Sequence, residues 1–231
     1  MYVYLSSVFL LGLIIGSFIS AVTYRIPKKI NFIKGRSFCD SCKKKLAWYD
    51  NIPLFSFLLY KGKSRCCNKK ISIRYPLIEL VSVIGAVVAW LFFGNLAFVI
   101  LFFLTLCIFI IDLEHQIIPD ELTWIILLLG LIANSQSPMT VLFSAFFLSL
   151  LLLFLYLITS GRGMGLGDVK LAVALGLWLG LEKGIIWLIL AFIIGGIVAS
   201  ILLLLKKAKL KTKIAFGPFL IIAFWLILLW K

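Results

Sequence analysis

The stretch LAFVILFFLTLCIFII, residues 96–111, is an unbroken apolar run that ends directly before Asp112. A helix that crosses a membrane needs about 20 predominantly apolar residues, so this run is a candidate span. Working outward from it, a second aspartate, Asp168, begins another apolar segment, within GLGDVK at residues 165–170. Ionisable groups at the ends of membrane helices are costly and usually functional. The two aspartates are therefore the first candidates for a functional site.

The composition excludes an ordinary soluble domain. Of the 231 residues 63% are hydrophobic and 14% are charged, and the mean hydropathy is +1.16. Soluble domains are usually about 45–50% apolar. The sequence predicts an all-α membrane protein with about eight transmembrane helices, at residues 3–24, 76–93, 96–111, 121–133, 139–159, 169–181, 184–205 and 214–230. The first span has no basic segment before it and no A-x-A site, so we expect it to stay uncleaved.

The positive charges are concentrated in loops beside the predicted spans, as expected for a membrane protein, and do not indicate nucleic-acid binding. The net charge is +14, and the segment from Arg25 to Arg74 holds 14 of the 23 Lys and Arg residues. Basic loops beside spans mark the cytoplasmic side and attract anionic lipid. With loop 25–75 inside, alternation of the spans places 21 of the 23 basic residues inside. The same alternation places both aspartates at the cytoplasmic edge of a bacterial cell membrane.

Three parts follow from this topology: a first span at 1–24, a basic cysteine-containing loop domain at 25–75, and a membrane-embedded domain at 76–231. The loop is the only candidate for a soluble domain. With about 50 residues it is small for a core of its own, so a metal ion or docking on the membrane part would help to stabilise it.

Two carboxylates at one membrane edge predict an aspartic protease. Close carboxylates cannot easily both ionise, so Asp112 and Asp168 would share one proton. The charged one would activate a water and the protonated one would donate to the scissile carbonyl, which needs no cofactor. Gly165 and Gly167 would let an extended substrate approach the backbone. An alternative for Asp168 is a helix N-cap, whereas the helix dipole disfavours Asp112 at the end of its span.

Four cysteines of the loop predict a metal site. Cys39 and Cys42 form a C-x-x-C knuckle, and Cys66 and Cys67 follow Ser64 in the second half of the loop. A zinc ribbon uses two C-x-x-C pairs, with four thiolates around one ion. Serine is a poor zinc ligand, so the prediction is at most one zinc ion, held by Cys39, Cys42 and Cys67, with Cys66 as a fourth ligand only in distorted geometry.

Six motifs occur in order along nearly the whole chain. They are GSFISAVTYRIP at 16–27, NIPLFS at 51–56, RYPLIEL at 74–80, Asp112 with IPD at 118–120, GLGDVK at 165–170, and FGPF at 216–219. Together they resemble the type IV prepilin peptidase family, the membrane leader peptidases of pilus, secretion and competence systems.

The resemblance implies an eight-span fold in which Asp112 and Asp168 form the catalytic site. It implies cleavage of a short basic leader from a prepilin or pseudopilin, next to a glycine and before a hydrophobic helix. Many members also N-methylate the new amino terminus with S-adenosylmethionine, and the family's methylation residues map onto Gly62 and Lys63. Where the family usually has its third cysteine, this chain has Ser64.

Acids near the predicted inner edge are expected to hold the basic leader. They are Glu79, Glu114, Asp120 and Glu121, and the largest effects are expected from Glu79 and Asp120 because a partly desolvated ion pair is worth more than an exposed one. Asp120 also follows a proline at a helix start, where capping is the alternative. Lys170 completes the second aspartate motif as an auxiliary residue.

Two other functions remain open from the sequence. A transporter or channel could use intramembrane carboxylates for protons or cations, but it would favour inverted repeats or broken helices at the midplane. A membrane assembly factor would use the cysteine loop to bind a partner and would leave both aspartates replaceable.

Overall fold

The computed structural model describes residues 2–27, 38–39, 41–42, 44–47, 55–133, 138–161, 163–207, 209 and 212–230. These residues form helices and two isolated antiparallel β-bridges, Phe38 with Lys45 and Lys63 with Lys70. The helices are α1 (Tyr2–Arg25), α2 (Phe55–Leu59), α3 (Arg74–Phe93), α4 (Leu96–His115), α5 (Asp120–Ala133), α6 (Pro138–Thr159), α7 (Leu166–Leu204) and α8 (Gly217–Leu229).

The predicted all-α membrane class is confirmed. Within the described ranges, α1, α3, α4, α6 and α7 are long and apolar enough to cross a membrane, and α8 is a shorter apolar helix. Their number indicates a multi-pass membrane protein. The count of eight spans stays a prediction, since α5 has 14 residues and α8 has 13, fewer than the roughly 17–25 that a full crossing takes.

The chain divides into two compact units, residues Met1–Cys107 and Ile108–Lys231, with the boundary inside α4. In the first unit, α1 and α3 pack as an antiparallel pair. Gly12 faces the backbone of Val83, and Gly16 faces Glu79, so the helices approach where a side chain would not fit. The pair is tied at one end by Arg74, whose Nη2 donates to Thr23 Oγ1 at 2.8 Å.

The second unit contains the end of α4 together with α5 to α8. The two predicted spans 169–181 and 184–205 correspond to a single 39-residue element, α7, whose helical geometry breaks at Gly180 (φ 71°, ψ −176°). Positive φ is accessible to glycine at little cost, which explains why the break falls there. The predicted boundary between the two spans, at residues 182–183, lies close to this break, and the division into two spans stays a prediction.

Helices α6, α7 and α8 form the core of this unit. Gly176 of α7 packs against Ala145 of α6, where an added Cβ would lie 3.1 Å from the Ala145 Cα. Small residues of this kind allow membrane helices to approach closely. Between α7 and α8, the buried indole N–H of Trp187 donates to the Leu220 carbonyl oxygen at 2.8 Å. This packing fixes the starts of α7 and α8, where the candidate site lies.

Candidate active site and cysteine cluster

Asp112 lies in the last turn of α4 and is buried, with 4% of its surface exposed. The backbone N–H of Gly217, the first residue of α8, interacts with its carboxylate. Asp112 therefore faces the start of a second helix, where the macrodipole favours a negative charge. This contact offsets the unfavourable position at the end of α4 that the sequence indicated. Its Oδ2 is buried and has no hydrogen-bond partner.

Asp168 lies in the first turn of α7 and is 7% exposed. Gly165 occupies the N-cap position, and Asp168, three residues later, accepts its backbone N–H through Oδ2 at 3.1 Å. This is the acidic half of a capping box. Asp168 is thus not the N-cap itself, although one of its oxygens does stabilise the helix start. The other oxygen, Oδ1, is buried without a hydrogen-bond partner.

The two aspartates belong to the same unit and interact electrostatically. Each has one carboxylate oxygen that is buried without a partner. Buried polar atoms are nearly always hydrogen-bonded, because leaving one unpaired costs about 1–3 kcal/mol or more. Two such oxygens on adjacent acids indicate a site that is completed by a bound water or a polar substrate group.

Three glycines surround these acids at close range. A Cβ at Gly165 would lie 3.2 Å from Asp168 Oδ2, and one at Gly217 would lie 2.5 Å from Asp112 Oδ2. A Cβ at Gly167 would lie 3.0 Å from the Cβ of Ile118. A side chain at Gly165 or Gly217 would therefore press on a catalytic candidate, and one at Gly167 would press on Ile118. The approach of a substrate to Gly165 and Gly167 stays a prediction.

Sequence reasoning missed Gly217 and Ile118 as parts of the site. Ile118 contacts the glycine positions on both sides, because a Cβ at Gly217 would also lie 3.2 Å from its Cδ1. The signal was present in the FGPF and IPD motifs, which were used only for the resemblance. A motif shows that residues matter, but only the fold shows that Gly217 and Asp112, 105 positions apart in the numbering, are neighbours.

Asp120 and Lys170 form an ion pair. Lys170 Nζ lies 2.8 Å from both carboxylate oxygens of Asp120, and both side chains are about half exposed. Asp120 is the first residue of α5, and Lys170 follows Asp168 by two residues in α7. The pair connects the starts of these two helices beside the buried acids.

Three further predicted residues, Glu79, Gly62 and Lys63, lie in the first unit. Glu79 is buried in α3 and lines a cavity of about 200 Å³, which Lys63 also lines. Gly62 has φ 71°, and a Cβ there would lie 3.2 Å from the Phe57 ring. Among the acids expected at the inner edge, Glu114 and Glu121 are exposed.

The four loop cysteines come together. The Sγ atoms of Cys39, Cys42, Cys66 and Cys67 all lie within 4.8 Å of one another. Cys39 and Cys67 are 3.8 Å apart, and Cys42 and Cys66 are 3.0 Å apart. A tetrahedral zinc ion with Zn–S bonds of about 2.3 Å separates its thiolates by about 3.8 Å. The Cys39–Cys67 distance already matches this value, and Cys42 and Cys66 would have to move apart by about 0.8 Å.

Ser64 is part of this cluster as a hydrogen-bonding group. Its buried hydroxyl lies 3.3 Å from Cys39 Sγ and 3.1 Å from Cys66 Sγ. Burial raises the pKa of Cys39, but hydrogen bonds to the Ser64 hydroxyl and to the backbone outweigh this and bring it to about 6. Ser64 lowers the pKa of Cys66, but the neighbouring cysteines and burial outweigh it and bring it to about 12. A zinc ligand must be a thiolate, and the hydrogen bond from Ser64 favours the thiolate form of both Cys39 and Cys66.

The fold and these sites define a multi-pass membrane protein with a buried pair of aspartates at helix ends and a cysteine cluster. Comparison with protein families gives a consistent result: residues 10–93 match the bacterial peptidase A24 N-terminal domain, and residues 97–200 match the type IV leader peptidase family. The chain belongs to the type IV leader peptidase family, and the predicted resemblance is confirmed.

Curated relatives extend over nearly the whole chain. It is 36% identical to the prepilin leader peptidase/N-methyltransferase of Pseudomonas aeruginosa, over 96% of this chain and 88% of the relative. It is 35% identical to the protein of that name from Aeromonas salmonicida, over 99% of this chain and 91% of the relative. It is 34% identical to the protein of that name from Neisseria gonorrhoeae, over 94% of this chain and 87% of the relative. No solved structure matches the chain.

Proposed function

We propose that this protein is an aspartic endopeptidase that removes the leader from type IV prepilins or pseudopilins at the cytoplasmic face of a bacterial cell membrane. The observation that carries the proposal is the pair Asp112 and Asp168, buried together with one unpartnered oxygen each. The names of the relatives supply the substrate class. They do not favour the transporter or the assembly factor.

The chemistry follows from one proton shared between two acids. The ionised carboxylate takes a proton from water as the water oxygen bonds to the scissile carbonyl carbon. The protonated carboxylate gives its proton to the carbonyl oxygen, which avoids a free oxyanion. When the tetrahedral intermediate collapses, the C–N bond breaks and the leaving amine takes the proton that came from water. A hydroxyl group of the intermediate returns its proton to the other carboxylate, so the pair again holds one proton. Backbone N–H groups of Gly165 and Gly217 hold the carboxylates in place during these transfers.

The test is cleavage by single-residue variants of the purified full chain in detergent or proteoliposomes. Asp112→Asn and Asp168→Asn should each lower the cleavage rate of a prepilin by at least about 100-fold, since general acid–base groups contribute about 10²–10⁴-fold each. Glu182→Gln is the matched control, because Glu182 is exposed and lies in the same unit. Near-normal processing by either aspartate variant would remove the basis of the proposal.

We also propose that the cysteine cluster binds one zinc ion through Cys39, Cys42, Cys66 and Cys67. The residues fit the ion, because four sulfur atoms lie within 4.8 Å of one another and tetrahedral S₄ sites are typical of zinc. The ion would cross-link the two halves of the loop. The place of Cys66 in the cluster supports a complete set of four ligands, where the sequence alone suggested three.

N-methylation of the new amino terminus is the second activity that the relatives' names suggest. S-adenosylmethionine would supply the methyl group. Lys63, which the resemblance maps to methyl transfer, lines a cavity in the first unit. Transfer of labelled methyl groups to cleaved prepilin by the purified protein tests the activity.

A further inference from the structure

The connection between α4 and α5, residues 116–119, lies in the second unit and packs against the starts of two other helices. Its residue Ile118 is partly buried. An added Cβ at Gly167, in the first turn of α7, would lie 3.0 Å from Ile118 Cβ and 3.4 Å from its Cδ1. An added Cβ at Gly217, the first residue of α8, would lie 3.2 Å from the same Cδ1. One side chain therefore fills the space between the two helix starts.

These two helix starts also hold the candidate catalytic acids. Asp168 directly follows Gly167 in the first turn of α7, and the Gly217 N–H interacts with the Asp112 carboxylate. The position of the α7 start relative to the α8 start therefore sets the distance between the two carboxylates. That distance must be short for the acids to share a proton, because hydrogen bonds between oxygen atoms span about 2.5–3.0 Å. A side chain between the helix starts can control this distance.

The connection is anchored at both ends, which restricts how far Ile118 can move. At its start, the Gln116 N–H donates to the Asp112 carbonyl oxygen at 2.9 Å and so closes the last turn of α4. The Gln116 side-chain amide donates from Nε2 to the Lys213 carbonyl oxygen at 3.0 Å, on the segment that leads into α8. At its end, Pro119 is buried, and its ring fixes φ directly before α5 begins. Ile118 is thus held between the helices by the backbone on either side of it.

Glycines face Ile118 on both sides, so the helix starts lie closer to it than residues with a side chain would allow. The shortest distances from the added Cβ atoms to Ile118, 3.0 Å and 3.2 Å, are below the 3.4 Å at which ordinary contacts of a Cβ begin. Protein interiors are packed so closely that a change of one methylene is felt by the neighbouring atoms. Removing atoms from Ile118 should therefore shift the starts of α7 and α8 relative to each other.

We propose that Ile118 is a positioning residue for the aspartate pair: it sets the separation of the α7 and α8 starts and thereby that of Asp112 and Asp168. The inference rests on the proposed aspartic chemistry. Ile118 transfers no proton and forms no bond in the reaction, since its side chain is a hydrocarbon. Its loss should therefore lower kcat and leave substrate binding nearly unchanged.

The test compares steady-state cleavage of a prepilin by the purified full chain and its variants in detergent. In Ile118→Ala, kcat should fall about 30-fold and KM should change less than about threefold, since a misplacement of about 1 Å costs about 100-fold and the site relaxes over part of that distance. Ile117→Ala is the matched control, because it makes the same change at the preceding residue, whose side chain is 50% exposed. Its kcat should stay within about twofold of the parent, as is usual for surface substitutions.

Two further variants separate positioning from a general loss of packing. Ile118→Leu keeps the side-chain volume and should retain kcat within about threefold, because volume-conserving exchanges are tolerated best. Ile118→Val keeps the branched shape but removes Cδ1, the atom near both glycines, and should lower kcat about fivefold through a smaller displacement. Melting curves give the stability of each variant, and the order of the kcat values should persist at temperatures where all of them are folded.

Three results would overturn the proposal. One is a kcat of Ile118→Ala within about threefold of the parent, which shows that the acids keep their geometry without the side chain. Another is a loss confined to KM, which would place Ile118 in substrate binding. The third is a normal kcat in Ile118→Val, and this comparison decides the matter if Ile118→Ala does not fold. Near-normal cleavage by Asp112→Asn or Asp168→Asn would instead remove the aspartic chemistry itself, so the two failures are distinguishable.

Discussion

Replacing Gly217 by alanine should damage catalysis without unfolding the protein. The new Cβ would lie 2.5 Å from Asp112 Oδ2 and 3.2 Å from both Asp112 Cγ and Ile118 Cδ1. Gly217 does not have a positive φ, so alanine fits the backbone, and the first position of a helix accepts it. The conflict is therefore confined to the carboxylate and to Ile118.

The size of the effect follows from the distance that the carboxylate must move. Ordinary contacts of a Cβ begin at 3.4 Å, so Asp112 Oδ2 must shift by about 0.9 Å if the backbone does not yield. A misplacement of about 1 Å in a reacting group can cost about 100-fold in rate. We expect kcat for prepilin cleavage to fall by about 100-fold, with KM changed less than about threefold because the substrate's binding contacts are not altered.

Gly196→Ala is the control, since Gly196 is a helical glycine of the same unit with no atom within 4 Å of its added Cβ. Steady-state cleavage of a prepilin by both variants, with circular dichroism and melting curves, separates a catalytic effect from a folding effect. If Gly217→Ala cleaves within about threefold of the parent, Asp112 either tolerates displacement or does not act in the chemistry. A melting temperature lowered in parallel with activity would also refute the reasoning.

Two further predictions concern the cysteine cluster and the exposed ion pair. Cys66→Ser should lower the zinc content of the purified protein as strongly as Cys39→Ser, because both thiolates are expected ligands. Elemental analysis measures this. Unchanged zinc in Cys66→Ser would show that Cys66 is not a ligand and that three cysteines hold the ion. If Asp120 serves mainly to pair with Lys170, then Asp120→Asn and Lys170→Met should each cost less than about 1 kcal/mol of stability and be non-additive when combined. If Asp120 instead holds a basic leader, Lys170→Met should lower the apparent KM, since it frees the carboxylate.

The sequence was sufficient for the class of fold, because hydropathy over long windows depends on composition more than on packing. It also predicted both aspartates as candidates for the site, since ionisable groups at the ends of membrane helices are costly and usually functional. What it could not provide was the partner of each acid. Asp112 meets Gly217 across the fold, and no pattern of local spacing predicts a contact between the end of one helix and the start of another.

The cysteine loop also contains contacts that spacing along the sequence could not predict. Spacing rules favoured a C-x-x-C pair that would begin at residue 64 and left Cys66 as a distorted ligand. The hairpin turns at residues 65–68, where Asn68 adopts positive φ and its N–H donates to the Ser64 carbonyl at 2.8 Å. This turn lets adjacent Cys66 and Cys67 both reach the cluster. Spacing motifs assume one turn geometry, and this chain uses another.

Each of the two aspartates contacts the N-terminus of a helix. Asp168 lies in the first turn of α7 and accepts a backbone N–H from Gly165, while Asp112 faces the first residue of α8, Gly217. In both cases a helix N-terminus, which attracts negative charge, meets the carboxylate. In both cases a side chain on the glycine would press on the acid. Backbone groups deform less easily than side chains, so they can hold a carboxylate in one orientation while leaving its second oxygen unpartnered. Such an arrangement would suit the proposed mechanism, in which the pair passes one proton back and forth without moving, and a glycine at both positions leaves the carboxylates undisturbed.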